Sequence, residues 1–255
     1  MRGESRQEAL PEGEEKARAV RTMFDTIAPR YDLVNRIMTF RMDVGWRRRT
    51  VRALDLGPAA VVLDVACGTG DLACDLQRGG YRPIGVDLSL EMLRHARSRV
   101  PLLQGDAARL PLGDGVVDGA VSGFALRNFV ALGPVFDELA RVVRPGGRIA
   151  LLEVAEPSHR LMRTGHRVYF EKVVPRIGGL LSDGAAYRYL PRSVAYLPPT
   201  ADTLDRLRES GFGTVERRLL SGGIAQLITA TRRVETAAER ASRSAGATGP
   251  VRGPR

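Results

Sequence analysis

The sequence predicts an α/β fold built on a doubly wound, mostly parallel, seven-stranded sheet. Three observations carry this. Short apolar runs alternate with helix-forming stretches along most of the chain, the pattern of a parallel sheet with helices on both faces. The first such run, Val61–Val65, stops at Gly68-Thr69-Gly70 before helix-forming residues resume, which reads as a strand, a tight turn and a helix start. The last two runs, Gly213–Leu219 and Ile224–Thr231, follow one another without an intervening helix, as expected of an antiparallel edge on an otherwise parallel sheet.

Taken in order, residues 1–20 are rich in Glu and Arg and read as a flexible extension, at most a frayed helix. From Arg21 to Leu56 the apolar positions Ile27, Tyr31, Val34, Ile37 and Met38 recur at helical spacing around Pro29, so two helices flank a turn; Asp43–Leu54 adds a third that holds Trp46. These helices either cap the sheet or turn Tyr31, Asp32 and Asn35 towards a ligand. Beyond the glycine turn the expected elements are a helix over Leu72–Gln77, a strand over Pro83–Asp87, a helix over Glu91–Arg99 with Ser89 as N-cap, and a strand over Val100–Gln104. Then come a strand over Gly115–Gly123, a helix over Leu132–Val143 ending at Arg144-Pro145-Gly146-Gly147, and a strand over Arg148–Val154. The stretch 157–200 is an insertion broken by Pro175 and Gly178-Gly179, expected to form a helical lid at the C-terminal edge of the sheet; its apolar residues either admit a lipid-tailed ligand or pack on the sheet or a second subunit. A last helix covers Thr203–Ser210. The main domain is thus expected over 21–233, with a disordered basic tail over 234–255; Thr231–Arg255 carries six arginines against two glutamates.

A chain of 255 residues suits one large domain. Its apolar runs are far too short to span a membrane, and the N-terminus has no apolar signal region, so the protein is expected in the cytoplasm. Cys67 and Cys74 lack metal-ligand spacing and read as packing residues in a reducing compartment, and no metal site is expected. The net charge of +10 comes almost wholly from arginine, since Lys16 and Lys172 are the only lysines. That skew resembles coding bias more than a nucleic-acid surface, and no nucleic-acid partner is expected; attraction to anionic lipid on the inner face of the membrane fits better.

The chemistry gathers at the C-terminal ends of the strands. Glycines at 68 and 70 let main-chain N–H groups approach a ligand at a helix N-terminus. Gly68, Gly70 and Ala73 also satisfy a dinucleotide fingerprint, with Asp87 at the ribose-binding distance, so the loop alone leaves NAD open. Asp64 tips the reading. A carboxylate gains nothing beside a pyrophosphate but favours the ammonium and sulfonium of S-adenosylmethionine (SAM); the alternative is a structural strand acid. Asp87 at a strand end can accept both ribose hydroxyls. Asp106 could accept from the adenine amino group while the Ala107 N–H donates to the ring, unless Asp106 simply closes an Asx turn.

With VLDVACGTGDLA, GVDLSLEML, GDAARLPL and ARVVRPGGRIALLEV in order, the chain resembles the class I SAM-dependent methyltransferases. FDTIAPRYDLVNRIMTF, FALRN and PRIGGLLSDGAAYRYLPRSV narrow this to a resemblance to the ubiquinone and menaquinone biosynthesis C-methyltransferases over about residues 21–230. The resemblance implies SAM contacts at Thr69, Asp87, Asp106 and Ala107. It also implies methyl transfer to a ring carbon of a reduced prenylated quinone, such as demethylmenaquinol. The chain departs from the family at Gly123, where serine is usual, and at Gly222–Ile228, where a histidine, glycine and lysine signature is usual. A hydroquinone carbon is a poor nucleophile until its hydroxyl ionises, so a cation and a base are needed. Arg127, after the fourth strand, is the first candidate, unless it forms a structural ion pair with an acid such as Asp32; Tyr31, His159 and His166 follow.

Overall fold

The computed structural model describes residues 11–157, 159–169 and 193–234. The described residues hold seven strands: β1 (Val61–Val65), β2 (Arg82–Asp87), β3 (Leu102–Gln104), β4 (Val117–Gly123), β5 (Val143–Val154), β6 (Phe212–Leu220) and β7 (Ala225–Arg232). They form one sheet in the order β3-β2-β1-β4-β5-β7-β6. The first five are mutually parallel, while β7 runs antiparallel to both β5 and β6. The strand order reverses between β1 and β4, so their C-terminal ends open a crevice at the glycine turn.

Alternation along each strand sends side chains to two apolar layers. On β5, Ile149 and Leu151 pack with Phe136 and Leu139 of helix α6 (Leu132–Val142) and with Leu207 of α8 (Thr200–Glu209). Their neighbours Ala150 and Leu152 pack on the other face with Trp46 and Leu54 from α3 (Met42–Ala53) and its end, and with Leu72 and Leu76 of α4 (Asp71–Arg78). Each Leu, Ile or Phe side chain fully buried this way contributes about 1.5–3 kcal/mol.

Helix α1 (Gly13–Ile27), one 3-10 turn at Ala28–Arg30 and α2 (Tyr31–Met38) precede α3. Pro29 sits in that turn and separates the two helices. A small apolar cluster of Ile27, Ala28, Val34 and Met92 fastens them to α5 (Leu90–Arg94). Helix α1 begins well ahead of position 21, with Lys16 and Val20 buried, so residues 13–20 are part of the folded unit instead of a flexible extension.

Other boundaries shift for local reasons. Ser89 caps α5 as expected, its side chain accepting from Met92 N at 3.0 Å. The helix ends at Arg94, short of Arg99, because Arg97 N donates to the Thr69 carbonyl at 3.1 Å and draws the chain onto the glycine turn. Helix α7 (Arg160–Val168) opens the insertion, and most of the expected lid, like the tail beyond 234, lies outside the described residues. No helix among the described residues is long and apolar enough to cross a membrane.

Candidate active site

The turn after β1 is built from left-handed residues: Ala66 (φ 55°), Gly68 (φ 55°) and Gly70 (φ 81°). The two glycines answer different needs. A Cβ on Gly70 would lie 2.6 Å from Ser98 Oγ, so its bareness serves packing. A Cβ on Gly68 would meet nothing within 4 Å, so its bareness leaves space on the ligand side. Thr69 is buried between them, its hydroxyl donating to Asp32 of α2 in a short hydrogen bond. Asp32 also meets Arg97 at 3.5 Å, which ties the helical cap to the glycine turn.

Asp64, Asp87 and Asp106 lie about this turn together with Asp32 and Asp71. Asp64, on β1, is almost completely buried, and its Oδ2 has no hydrogen-bond partner among the described residues. Burial, with the charge of Asp87 second, pushes its carboxyl up to about 8. Asp87, at the end of β2, accepts from Gly68 N through Oδ2 (2.7 Å) and from Ser89 N through Oδ1 (2.8 Å). Burial raises its carboxyl too, against those hydrogen bonds. Asp106 does close an Asx turn, Oδ1 accepting from Ala108 N at 2.9 Å, and it still borders the same hollow as Asp87 and the buried Ala107.

Two hollows meet over the strand ends. The first runs over Asp87, Asp106 and Ala107, with Val20 and Phe24 of α1 and Phe129 covering it. The second runs over Asp64 and Thr69 towards Trp46, Arg127 and Tyr169. Tyr31, Ala66, Gly68, Gly123 and Phe124 line both, so the hollows are neighbours across a shared wall. Helix α2 therefore caps the sheet and faces the cavity at once, because Tyr31, Asp32 and Asn35 all line the second hollow. Burial pushes the Tyr31 phenol up, so it stays protonated across the working range.

Arg127 lines the second hollow, but its acidic partner is Glu153 of β5 and not Asp32. Its Nη1 donates to Glu153 in a short ion pair and to the Phe124 carbonyl at 2.8 Å, and its Nε donates to Ser193 Oγ at 3.2 Å. Glu153 is fully buried and also accepts from Val154 N at 2.8 Å. His159 is exposed and lines neither hollow, and the side chain of His166 lies outside the described residues.

Sequence reading missed several members of the site. Glu153 interrupts the apolar run Leu151-Leu152-Glu153-Val154 just as Asp64 interrupts its own, and that shared pattern was the available signal. Arg47 of α3 joins Asp43, Asp71 (3.1 Å) and Asp75 (3.0 Å), locking the cap to α4; the i,i+4 spacing of Asp43 with Arg47 and of Asp71 with Asp75 was visible. Lys16 Nζ donates to the Phe129 carbonyl at 2.6 Å and sits 3.8 Å above the Tyr196 ring, a contact with no sequence signal because its acceptor is backbone.

The model of the ubiE/COQ5 methyltransferase family matches residues 12–232. The chain is 43% identical over 221 residues to the ubiquinone/menaquinone biosynthesis C-methyltransferase UbiE of Syntrophotalea carbinolica, covering 83% of this chain and 93% of the relative. It is 39% identical over 234 residues to the demethylmenaquinone methyltransferase of Roseiflexus castenholzii, covering 88% and 98%. Among solved structures, a SAM-dependent methyltransferase from Thermotoga maritima shares the fold, with a TM-score of 0.61 at 20% identity over 84% of this chain and all of that one.

Proposed function

The chain belongs to the ubiE/COQ5 methyltransferase family, and on that premise we propose that its paired hollows hold SAM and a reduced prenylated quinone precursor, with demethylmenaquinol as the substrate. The activity is that of a SAM-dependent C-methyltransferase of quinone biosynthesis. The observation that carries the cofactor reading is the partnerless buried oxygen of Asp64. A desolvated carboxylate with an open lone pair suits an ammonium group and repels a pyrophosphate, which favours SAM over NAD.

Bound SAM supplies an electrophilic methyl group. Around it, Asp64 takes the ammonium, Asp87 the ribose hydroxyls, and Asp106 with the Ala107 N–H the adenine edge, while Gly68, Thr69 and Gly70 shape the turn beneath. The second hollow orients the quinol ring. Arg127 keeps its Nη2 without a partner among the described residues, and that nitrogen is suited to hold a phenolate oxygen as the ring hydroxyl ionises. Tyr31, held neutral, can donate a hydrogen bond to a substrate oxygen but is a poor base. The flanking apolar walls exclude water and fix the carbon facing the methyl. This reading puts the enzyme in the cytoplasm, working at the inner face of the membrane.

Two experiments test the proposal. Titration calorimetry with SAM and with NAD, run separately, should show binding of SAM alone. Mass spectrometry of demethylmenaquinol with a short prenyl chain should show one methyl added to the ring, and transfer to other phenols in its place would assign a different aromatic substrate.

A further inference from the structure

We propose that the outward face of α2 and the loop after it dock on an anionic lipid bilayer, setting the mouth of the second hollow against the membrane. Leu33, Ile37 and Phe40 are 54%, 39% and 70% exposed. The i, i+4 spacing of Leu33 and Ile37 puts both on one side of α2, and Phe40 follows in the left-handed turn (φ 50°) beyond the helix end at Met38. The opposite side of the same helix is occupied: Val34 is buried, and Tyr31, Asn35 and Met38 line the hollow. A helix that is apolar towards the interior and again towards solvent departs from the amphipathic pattern of a surface helix, and contiguous exposed apolar side chains mark an interaction site.

Charge selects the occupant. Arg36, Arg41, Arg48, Arg78 and Arg97 line a groove along the flank of α2 and α3. Arg41 is held against α2, its backbone N–H donating to the Arg36 carbonyl at 3.0 Å. The acids in that groove, Asp71 and Asp75, are engaged by the half-buried Arg47 and by Arg36 and Arg78, and Arg97 meets Asp32, which leaves Arg41 and Arg48 without an ion pair among the described residues. Apolar side chains rimmed by arginines match acyl chains beneath anionic head groups. A second copy of this chain would instead bring another set of arginines against the first.

Position connects the patch to the chemistry. Phe40 is both the most exposed of the three and a lining residue of the second hollow, so it stands at the opening. Its ring packs 5.6 Å from that of Tyr169, whose hydroxyl donates to the Met38 carbonyl at 2.7 Å. A prenyl tail leaving the hollow past Phe40 would run directly into the bilayer. The inference rests on the quinol reading only for this last step.

The test is co-sedimentation of the full chain with phosphatidylcholine vesicles, with and without phosphatidylglycerol. Leu33→Ser/Ile37→Ser and Arg41→Gln/Arg48→Gln should each lower the partition onto anionic vesicles by about tenfold or more. SAM affinity and turnover of a tail-less naphthoquinol should stay at wild-type values. Leu33→Trp, which keeps the patch apolar, should bind at least as well as wild type, with its emission shifted to the blue on anionic vesicles. Wild-type partition by both double variants, or an unshifted tryptophan, would overturn the proposal and assign any lipid binding to residues 235–255. A dimer that becomes a monomer in Leu33→Ser/Ile37→Ser would give the face to a second copy. Failure to methylate any quinol would remove the functional reading and leave the vesicle result standing separately.

Discussion

Arg127, which lines the second hollow, and Glu153 form a buried ion pair between the loop after β4 and the end of β5. Glu153→Gln keeps the shape but leaves the guanidinium charged and uncompensated, because arginine does not lose its proton at working pH. Urea unfolding should show a loss of about 3–5 kcal/mol. Arg127→Lys also loses the planar fork that reaches Glu153, Phe124 and Ser193 together. It should lower kcat far more than SAM affinity, and by more than Glu153→Gln does. Equal loss of turnover in the two variants would reduce Arg127 to a structural role.

Asp64 should make cofactor binding a proton-releasing event. Its carboxyl, raised to about 8, is mostly protonated at pH 7 in the free protein. An ammonium partner favours the ionised form, so SAM binding should release most of one proton at that pH. Calorimetry in buffers of different ionisation enthalpy measures this, and Asp64→Asn should abolish it. The same raised value opposes folding increasingly as pH climbs from about 4 to about 8, because the unfolded chain ionises first. Asp64→Asn should therefore gain thermal stability over that window in the absence of SAM.

Asp87→Ala should weaken SAM by roughly two to four decades, the loss of two charge-assisted hydrogen bonds. It should also lower the melting temperature, since Asp87 holds the backbone N–H groups of Gly68 and Ser89. Asp87→Asn, with one acceptor oxygen left, should recover part of the stability and little of the affinity.

Gly68→Ala and Gly70→Ala should separate binding from folding. At Gly70 the new methyl would strike Ser98, and unfolding should show a loss of about 1–3 kcal/mol. At Gly68 the methyl enters open space at a similar φ, so stability should fall by about 1 kcal/mol while SAM affinity drops more sharply. A larger stability loss at Gly68 than at Gly70 would contradict this division.

The sheet was legible because β1, β2, β4 and β5 carry apolar runs, and Asp64 stood out as a lone acid inside one of them, where the structure buries it. Boundaries slipped where a distant contact overrode propensity: α5 stops early because Arg97 is held by Thr69, and α1 starts early because Lys16 and Val20 are buried. The partner of Arg127 was misjudged because choosing among acids requires register. Glu153 lies beside the loop only once β5 has paired with β4, where Leu152 stands opposite Gly123.

The clasp of Lys16 on Phe129 and Tyr196 sets an order of events during synthesis. Helix α1 leaves the ribosome first, yet Lys16 must wait for an acceptor 113 residues later, and Pro11 for a hydroxyl 185 residues later. The cover of the first hollow is therefore made early and secured late, after β1 to β5 can already have paired. A nascent chain halted before Tyr196 would present its glycine turn with the roof still loose, and amide exchange in α1 should slow further when that tyrosine has emerged.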